Sequence, residues 1–290
     1  MDEAEDMIRI SFEVPLSKAT ELLQQLGGHA IRDAIGEQQL PFMEIAATFM
    51  GAHALPGEFA DNKEGYVKLV CDRMLPAVAR EGLAEFCDVF CEDGAFTVEE
   101  ARTILHSSYK YGLNAKIHAD EITDTGGAGL AAEVKALSAE HLIQANDLGL
   151  EAMSSAGTIA VLLPGTSFFL GEEFARAGRM KELGIPIAVA TDFNPGSNPN
   201  ESLLLPMTLA CLKYRLTPEE VLTAVTLNAA AAISRASRLG TVEVGKQADI
   251  VIWQAPDLEF LFYRYGVNLV RTVVKKGLVV IDRAVENQCI

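Results

Sequence analysis

Short apolar runs alternate with longer amphipathic stretches from about residue 45 onward. Six of the apolar runs have the length and composition of buried strands, at residues 45–50, 86–91, 115–118, 139–142, 158–163 and 185–191. Helical patterns occur at residues 66–79, 97–112, 129–135, from about 147, and 201–234, with capping boxes starting at Thr97 and Thr217. The chain therefore predicts a series of βα units, which build a parallel sheet covered by helices.

Two architectures fit this alternation, a doubly wound sheet and a TIM barrel. The first strand is not followed by G-x-G-x-x-G, and the sequence has no Walker A motif, which weakens the nucleotide-binding form of the doubly wound sheet. After residue 238 the pattern changes to short β runs at 248–253, 270–274 and 278–281, which indicate a small antiparallel part. We divide the chain into an unassigned segment 1–44, with a candidate strand at 8–14 and a candidate helix at 17–26, a βα region 45–237, and a β region 238–290.

Composition and charge narrow the classes of partner. The 290 residues are 49% hydrophobic, as expected of a folded globular chain, and 24 Lys+Arg against 40 Asp+Glu give a net charge of −16. This charge repels phosphate backbones and anionic lipids, so we expect neither nucleic acid nor a membrane as a partner. The acidic first residues lack the apolar core of a signal peptide, and five cysteines without a C-x-x-C motif indicate a reduced, cytoplasmic chain. The uncharged stretch 152–171 contains Pro164 and Gly165, and we interpret it as a helix end, a buried strand and a loop.

Polar side chains of one chemical kind follow several of the predicted strands. His53, His118, His141 and Asp192 each lie at or just beyond the end of a strand, and in a parallel barrel these ends form the active-site face. A single histidine at such a place is more often structural, but the repetition favours a site. Imidazole nitrogens with a carboxylate suit a divalent metal such as zinc or iron, which lowers the pKa of bound water to about 7.

Strand alternation gives Asp192 a particular setting, because Ala188 and Ala190 share its face and leave space before the carboxylate. Glu121 is either a solvated charge or the acid of the following helix turn. His29 and His106 lie in helical contexts, and we interpret both as structural.

Several segments resemble the imidazolonepropionases, a family of the amidohydrolase superfamily. They are FMGAHALP (49–56), DVFCEDGAF (88–96), KIHADE (116–121), SAEHL (138–142), VLLPGTSFFL (161–170) and ATDFNPG (190–196). The segment GTVEVGKQAD (240–249) resembles the return segment found across the superfamily. The resemblance extends from about residue 44 to residue 280.

The resemblance implies a (β/α)8 TIM barrel of the amidohydrolase type with one divalent metal, zinc or iron, and a small β-sandwich built from both chain ends. It implies hydrolysis of 4-imidazolone-5-propanoate to N-formimidoyl-L-glutamate in histidine degradation, by a homodimer. The residues carried over are His118 and Asp192 as metal ligands, Glu121 and His141 for the attacking water and the ring, and His53, Asn194 and Gly196 for substrate binding. On chemical grounds, Glu121 or Asp192 would move the proton from the water to the leaving nitrogen. The amides after Gly196 are expected to open a helix and to bind the substrate carboxylate.

The sequence departs from this family in one motif. None of its five histidines forms the His-x-His pair that follows the first barrel strand and supplies two further metal ligands, and the first two βα units have no recognisable counterpart. The six strands therefore correspond to the third through eighth strands of the barrel. Three other hypotheses stay open: an amidohydrolase acting on a different cyclic amide, a barrel remnant that serves as a binding or assembly module, and a doubly wound ligand-binding domain without metal.

Overall fold

The main sheet contains six parallel strands in the same order as in the sequence. The computed structural model describes residues 44–283, and from Ala46 onward they belong to one compact unit. The strands are β1 (Thr48–Ala52), β2 (Phe86–Cys91), β3 (Asn114–Ala119), β4 (Ser138–His141), β5 (Ile159–Leu162) and β6 (Ile187–Val189). Each strand pairs with the next one along the chain, without the reversal of order that defines a doubly wound sheet. The sheet is therefore of the barrel type, and all its carboxyl ends lie at one edge.

Helices connect these strands and follow the last of them. They are α1 (Lys63–Leu69), α2 (Leu75–Glu81), α3 (Val98–Tyr109), α4 (Gly127–Glu133), α5 (Asp147–Ala156), α6 (Pro164–Leu170), α7 (Ala177–Glu182), α8 (Leu204–Lys213), α9 (Pro218–Thr223), α10 (Ala229–Ala232) and α11 (Leu258–Tyr263). A π-helical turn joins α1 to α2, and another joins α9 to α10. Both predicted capping boxes are present, at Thr97 and at Thr217.

Helix α6 corrects the interpretation of residues 164–170 as a loop. Pro164 occupies the first helical position, where its missing N–H is not needed, and Gly171 ends the helix in a left-handed conformation. These two residues were a readable signal for a helix. Helices α7 and α11 had no counterpart in the sequence pattern, and both are only six residues long.

The two faces of the sheet differ in chemistry. Residues such as Cys87, Val89, Ile117 and Ala160 pack against the helices in the large buried cluster. The opposite face is polar on β2 to β4, where alternation places Asp88, Lys116, His118, Ser138 and Glu140. On β5 and β6 this inner face is apolar and forms a second cluster of Ile159, Val161, Leu163, Ala188 and Ala190.

Three antiparallel strands form the separate sheet that the sequence predicted near the carboxyl terminus. They are β7 (Ile250–Trp253), β8 (Val270–Lys275) and β9 (Leu278–Asp282), in that order. Within residues 44–283, no helix has both the length and the apolar character needed to cross a bilayer. The candidate strand 8–14, the candidate helix 17–26 and His29 lie outside the described residues.

A buried and an exposed isoleucine allow the contribution of core packing to stability to be measured. Ile117 on β3 is fully buried, whereas Ile122, in the loop after β3, is 61% exposed. We expect Ile117→Ala to lower the free energy of unfolding by about 3 kcal/mol, since it removes buried methyl groups and leaves a cavity. Ile122→Ala should change it by less than about 0.5 kcal/mol. Urea denaturation of both variants measures the difference, and equal effects would contradict the described packing of β3.

Candidate active site

A buried carboxylate on β2 connects two of the predicted site histidines. Asp88 Oδ1 lies 2.9 Å from Nδ1 of His118 on β3 and 3.2 Å from Nε2 of His53, the residue after β1. The same oxygen accepts the backbone N–H of His118 at 3.2 Å. Asp88 is 2% exposed, and the two imidazole rings meet edge to face with centroids 4.6 Å apart. In the part of the chain that the structure describes, this is the one group of three metal-ligating side chains whose donor atoms lie within 4.8 Å of one another.

His141 and Glu121 extend this cluster along the edge of the sheet. The ring centroids of His118 and His141 lie 5.1 Å apart, and His141 Nδ1 lies 3.2 Å from Glu121 Oε1. His141 ends β4 and is buried, whereas Glu121 follows β3 and is partly exposed. The structure therefore brings four predicted residues together, His53, His118, Glu121 and His141.

Two further buried carboxylates fix the loop that carries Glu121. Glu92 accepts the backbone N–H groups of Glu121, Ile122 and Thr123 at 3.1, 2.9 and 3.1 Å, and the Thr123 hydroxyl. Asp120 accepts the backbone N–H groups of residues 125, 127 and 128 at 3.0, 2.9 and 2.8 Å, which caps the start of α4. Six of the eight backbone amides of residues 121–128 donate to one of these two acids, so the backbone that carries Glu121 is held on both sides.

Asp192 lies three residues after the end of β6, and its carboxylate is hydrogen-bonded to a side chain of α6. The hydroxyl of the buried Thr166 donates to Asp192 Oδ2 at 2.5 Å. The negative charge of Asp192 is among the factors that raise the pKa values of His118 and Glu121, so its carboxylate belongs to the same electrostatic neighbourhood.

The loop after Asp192 is ordered by the side chain of Asn194. Its Oδ1 accepts the backbone N–H groups of Gly196 and Ser197 at 2.9 and 2.8 Å, and its Nδ2 donates to the Asp192 carbonyl at 2.9 Å. The expectation that a helix opens directly after Gly196 is wrong, because α8 begins only at Leu204. The Gly196 amide is instead used within the turn, as is usual for an Asx turn.

The ionisable groups differ in their preferred charge. Burial opposes a charge on His118, but the charge of Asp88 and its hydrogen bond raise the pKa of His118 to about 9. Burial and the repulsion from His118 lower the pKa of His141 well below its usual value. Burial, then the nearby charges of Asp192, Glu172 and Glu92, raise the pKa of Glu121 to about 7, against the attraction of His118. A carboxyl group that titrates near neutrality beside a neutral imidazole suits proton transfer.

The backbone at these strand ends is unusual. Asp120, His141, Leu142 and Asp192 have φ angles of 50°, 70°, 59° and 53°, in the left-handed region. Asp and His visit this region more readily than most residues, but a bulky Leu there is an outlier. Leu142 is held by its burial and by donation of its N–H to the Ala119 carbonyl at 3.1 Å.

Sequence reasoning missed Asp88, which lies within β2, and Glu92, which directly follows it. Both are acids bordering apolar residues in the segment FCDVFCED, and an acid inside a strand with buried neighbours needs a partner. An acid among apolar strand residues was therefore the sequence signal that could have identified them. It could not identify the partners, because they lie about 30 residues away in the sequence.

The residues present fit part of a divalent-metal site. Asp88 binds His118 through Nδ1, and within residues 44–283 no partner is found for Nε2. Metal-ligating histidines usually have this arrangement, with one nitrogen bound by a carboxylate and the other on the ion. Asp192 likewise has a partner on Oδ2, and Oδ1 has none in the described chain.

Comparison with known proteins places this chain in one family. Residues 24–280 match the model of the amidohydrolase family. The chain belongs to the amidohydrolase family.

Within that family it is similar to imidazolonepropionases. It is 54% identical to the imidazolonepropionase of Shouchella clausii over 243 residues, which cover 84% of this chain and 54% of that protein. It is 50% identical to the imidazolonepropionase of Alkaliphilus oremlandii over 248 residues, covering 85% and 58%. The chain thus spans little more than half the length of these relatives.

Solved structures show the same fold at low sequence identity. An adenosine deaminase from Xanthomonas campestris with bound zinc has a TM-score of 0.64 at 18% identity, covering 80% of this chain and 60% of that one. An atrazine chlorohydrolase from Arthrobacter aurescens, complexed with zinc, has a TM-score of 0.59 at 18% identity, covering 73% and 56%. These similarities confirm the barrel-type α/β fold.

The raised pKa of Glu121 predicts a pH-dependent stability. A carboxyl group with a folded pKa of about 7 binds its proton more tightly in the folded chain, so the wild type loses stability as the pH rises from about 4.5 to 7. Glu121→Gln removes this loss. Relative to the wild type, the variant should gain about 2 to 3 kcal/mol of unfolding free energy between pH 4.5 and pH 8.

Urea denaturation of the metal-free chain with a chelator present measures this gain. The matched control is Glu173→Gln at an exposed carboxyl, where we expect the same offset from the wild type at both pH values. A pH-independent offset for Glu121→Gln would contradict the assigned burial of this side chain.

The role of Glu92 predicts a local change in backbone protection. Glu92→Gln removes the charge and one of the two acceptor oxygens that bind the amides of residues 121–123. Hydrogen bonds to charged groups contribute about 1.5 to 3 kcal/mol, so the exchange rates of these amides should rise about 10- to 100-fold. Hydrogen exchange measured by NMR tests this, with the exposed Glu99→Gln on α3 as control. Unchanged rates would show that the loop does not depend on Glu92.

Proposed function

We propose that this chain carries the active-site residues for hydrolysis of 4-imidazolone-5-propanoate to N-formimidoyl-L-glutamate, a step of histidine degradation. The observation that supports the proposal is the cluster of His118, Glu121 and His141 at the carboxyl ends of adjacent parallel strands. It occurs in a chain about half identical to proteins named imidazolonepropionase. In a parallel barrel this edge is where catalytic side chains gather.

His118 and Asp192 would hold one divalent ion, zinc or iron. Both provide the nitrogen and oxygen donors that these ions accept, and each has an atom without a partner within residues 44–283. Zinc-bound proteins with the same fold support this choice. When bound, the ion would polarise the ring carbonyl and make a water molecule more acidic.

Glu121 and His141 would move the protons of the reaction. Hydrolysis adds water to the ring carbonyl carbon and breaks the bond from that carbon to the ring nitrogen, which then needs a proton. Glu121, with a pKa of about 7, can take a proton from the attacking water and deliver it to the leaving nitrogen. Once Glu121 holds that proton, its carboxyl group can donate to Nδ1 of the uncharged His141, 3.2 Å from Glu121 Oε1, and the Nε2–H of His141 can then donate to the developing oxyanion. Asp192 is the second candidate for this proton transfer.

His53 and the 194–196 turn would bind the substrate. His53 lies beside His118 and is hydrogen-bonded to Asp88, which fixes the orientation of its ring. Asn194 orders the turn that contains Gly196, and this turn directly follows Asp192. The homodimeric state implied by the resemblance and the cytoplasmic location indicated by the cysteines remain part of this proposal.

Metal analysis and an activity assay on the purified 290-residue chain test the proposal together. With zinc or iron supplied in excess, we expect about one equivalent of bound ion and loss of the imidazolone absorbance. His118→Asn should abolish ion binding and turnover. Glu121→Gln should keep the ion and lower turnover at least about 100-fold.

His106→Asn is the matched control, because His106 is exposed in the last turn of α3 and should leave both readouts unchanged. Turnover of a hydantoin or a dihydropyrimidine without turnover of the imidazolone would overturn the assigned substrate. Absence of both ion and turnover would overturn the activity of this chain, and a non-catalytic binding module would then be the better description.

A further inference from the structure

Asp88 has a position that the proposed reaction does not yet use. Its carboxylate is almost fully buried in the middle of β2, yet it touches the candidate metal ligand His118 and the candidate substrate residue His53 at once. A buried ionised carboxylate is costly unless hydrogen bonds compensate it. Here a single oxygen, Oδ1, receives three N–H groups, from the two rings and from the backbone of His118.

The direction of these hydrogen bonds fixes where the ring protons are. An ionised carboxylate can only accept, so each ring nitrogen that faces Oδ1 must carry a hydrogen. When both rings are neutral, His118 is therefore protonated on Nδ1 and has its lone pair on Nε2. His53 is protonated on Nε2 and has its lone pair on Nδ1. One acid thus selects opposite tautomers in two neighbouring histidines.

The same three side chains could be taken for a metal site, since their donor atoms lie within 4.8 Å of one another. The backbone N–H of His118 argues against ligation through Oδ1, because it already donates to that oxygen. Three N–H donors already occupy Oδ1. Hydrogen bonding therefore explains the trio better than ligation does.

We infer that Asp88 is a positioning residue, which holds His118 with Nε2 free to bind the ion and His53 with Nδ1 free to accept from the substrate. The inference rests on the proposed function only in taking His118 as a metal ligand and His53 as a substrate contact. Carboxylates that orient a ligating histidine typically change metal affinity 10- to 100-fold when removed.

Two substitutions at this position separate the acceptor oxygen from the negative charge. Asp88→Val has a similar size and suits a strand, but it removes every acceptor, so His118 should change to the Nε2–H tautomer. Asp88→Asn keeps a carbonyl oxygen. The three N–H donors hold that oxygen at the Oδ1 position, and the NH2 group takes the place of Oδ2, for which the described residues offer no partner. This variant should keep both tautomers.

Glu140→Gln is a further control, because Glu140 is a buried acid on β4 that binds Lys116 and Ser138 and neither histidine.

The tautomers are measured by NMR of the full chain with 15N-labelled histidine, free of metal, at pH 10, above the pKa of His118. We expect Nδ1–H for His118 and Nε2–H for His53 in the wild type, Asp88→Asn and Glu140→Gln, and Nε2–H for His118 in Asp88→Val. A wild-type His118 in the Nε2–H form would overturn the inference, as would an Asp88→Val variant with unchanged tautomers. If Asp88→Val fails to fold, the wild-type and Asp88→Asn spectra still test whether His118 carries its proton on Nδ1 and His53 on Nε2.

Addition of Zn²⁺ at pH 7 gives the second readout. Binding should shift the Nε2 resonance of His118, and Asp88→Val should weaken zinc affinity about 10- to 100-fold. Zinc bound through Nδ1 of His118 would show that the trio is itself the metal site and would overturn the inference. A wild-type chain that binds no zinc would count against the proposed function alone, since the metal-free tautomers are measured independently.

Discussion

Ionised acids removed from water must be matched by donors, and this constraint organises the centre of the molecule. Four acids at most 4% exposed meet it in different ways. Asp88 joins β2 to β3 and to the residue after β1, and Glu92 joins the end of β2 to the loop after β3. Asp120 connects that loop to the start of α4, and Glu140 joins β4 to β3. Removing any one of them would leave several N–H, hydroxyl or ammonium donors without their present partner.

These acids lie on one side of the barrel, and this gives the site two unlike walls. The polar wall on β2 to β4 includes His118 and His141, and His53, directly after β1, is hydrogen-bonded to Asp88 of this wall. The wall on β5 and β6 is apolar and has the small side chains of Ala188 and Ala190 before Asp192. Asp192 therefore adds its negative charge from a side with few other charges. The low polarity of this wall strengthens electrostatic interactions across the site.

The sequence predicted the elements better than the connections between them. Strand β2 matches its predicted range, and both capping boxes were readable, because these features depend on neighbouring residues. The predicted end of β6 was two residues too long, because the chain leaves the sheet before Asp192. Histidines at strand ends were recognised because their positions repeat along the chain. Asp88 and Glu92 were missed because their importance depends on contacts about 30 residues away, which a local pattern does not contain.

The left-handed backbone at the strand ends has a consequence for protein design. Idealised barrels avoid positive φ at residues other than glycine, so their strand ends would direct side chains differently from Asp120, His141, Leu142 and Asp192. Grafting the candidate site residues onto such a scaffold would reproduce their identities but not their orientations. A scaffold that carried this site would also need the buried Leu142 and the hydrogen bond from its N–H to the Ala119 carbonyl, because these hold the left-handed backbone at the end of β4. A design that copies this site must therefore copy the left-handed backbone of the strand ends together with the side chains.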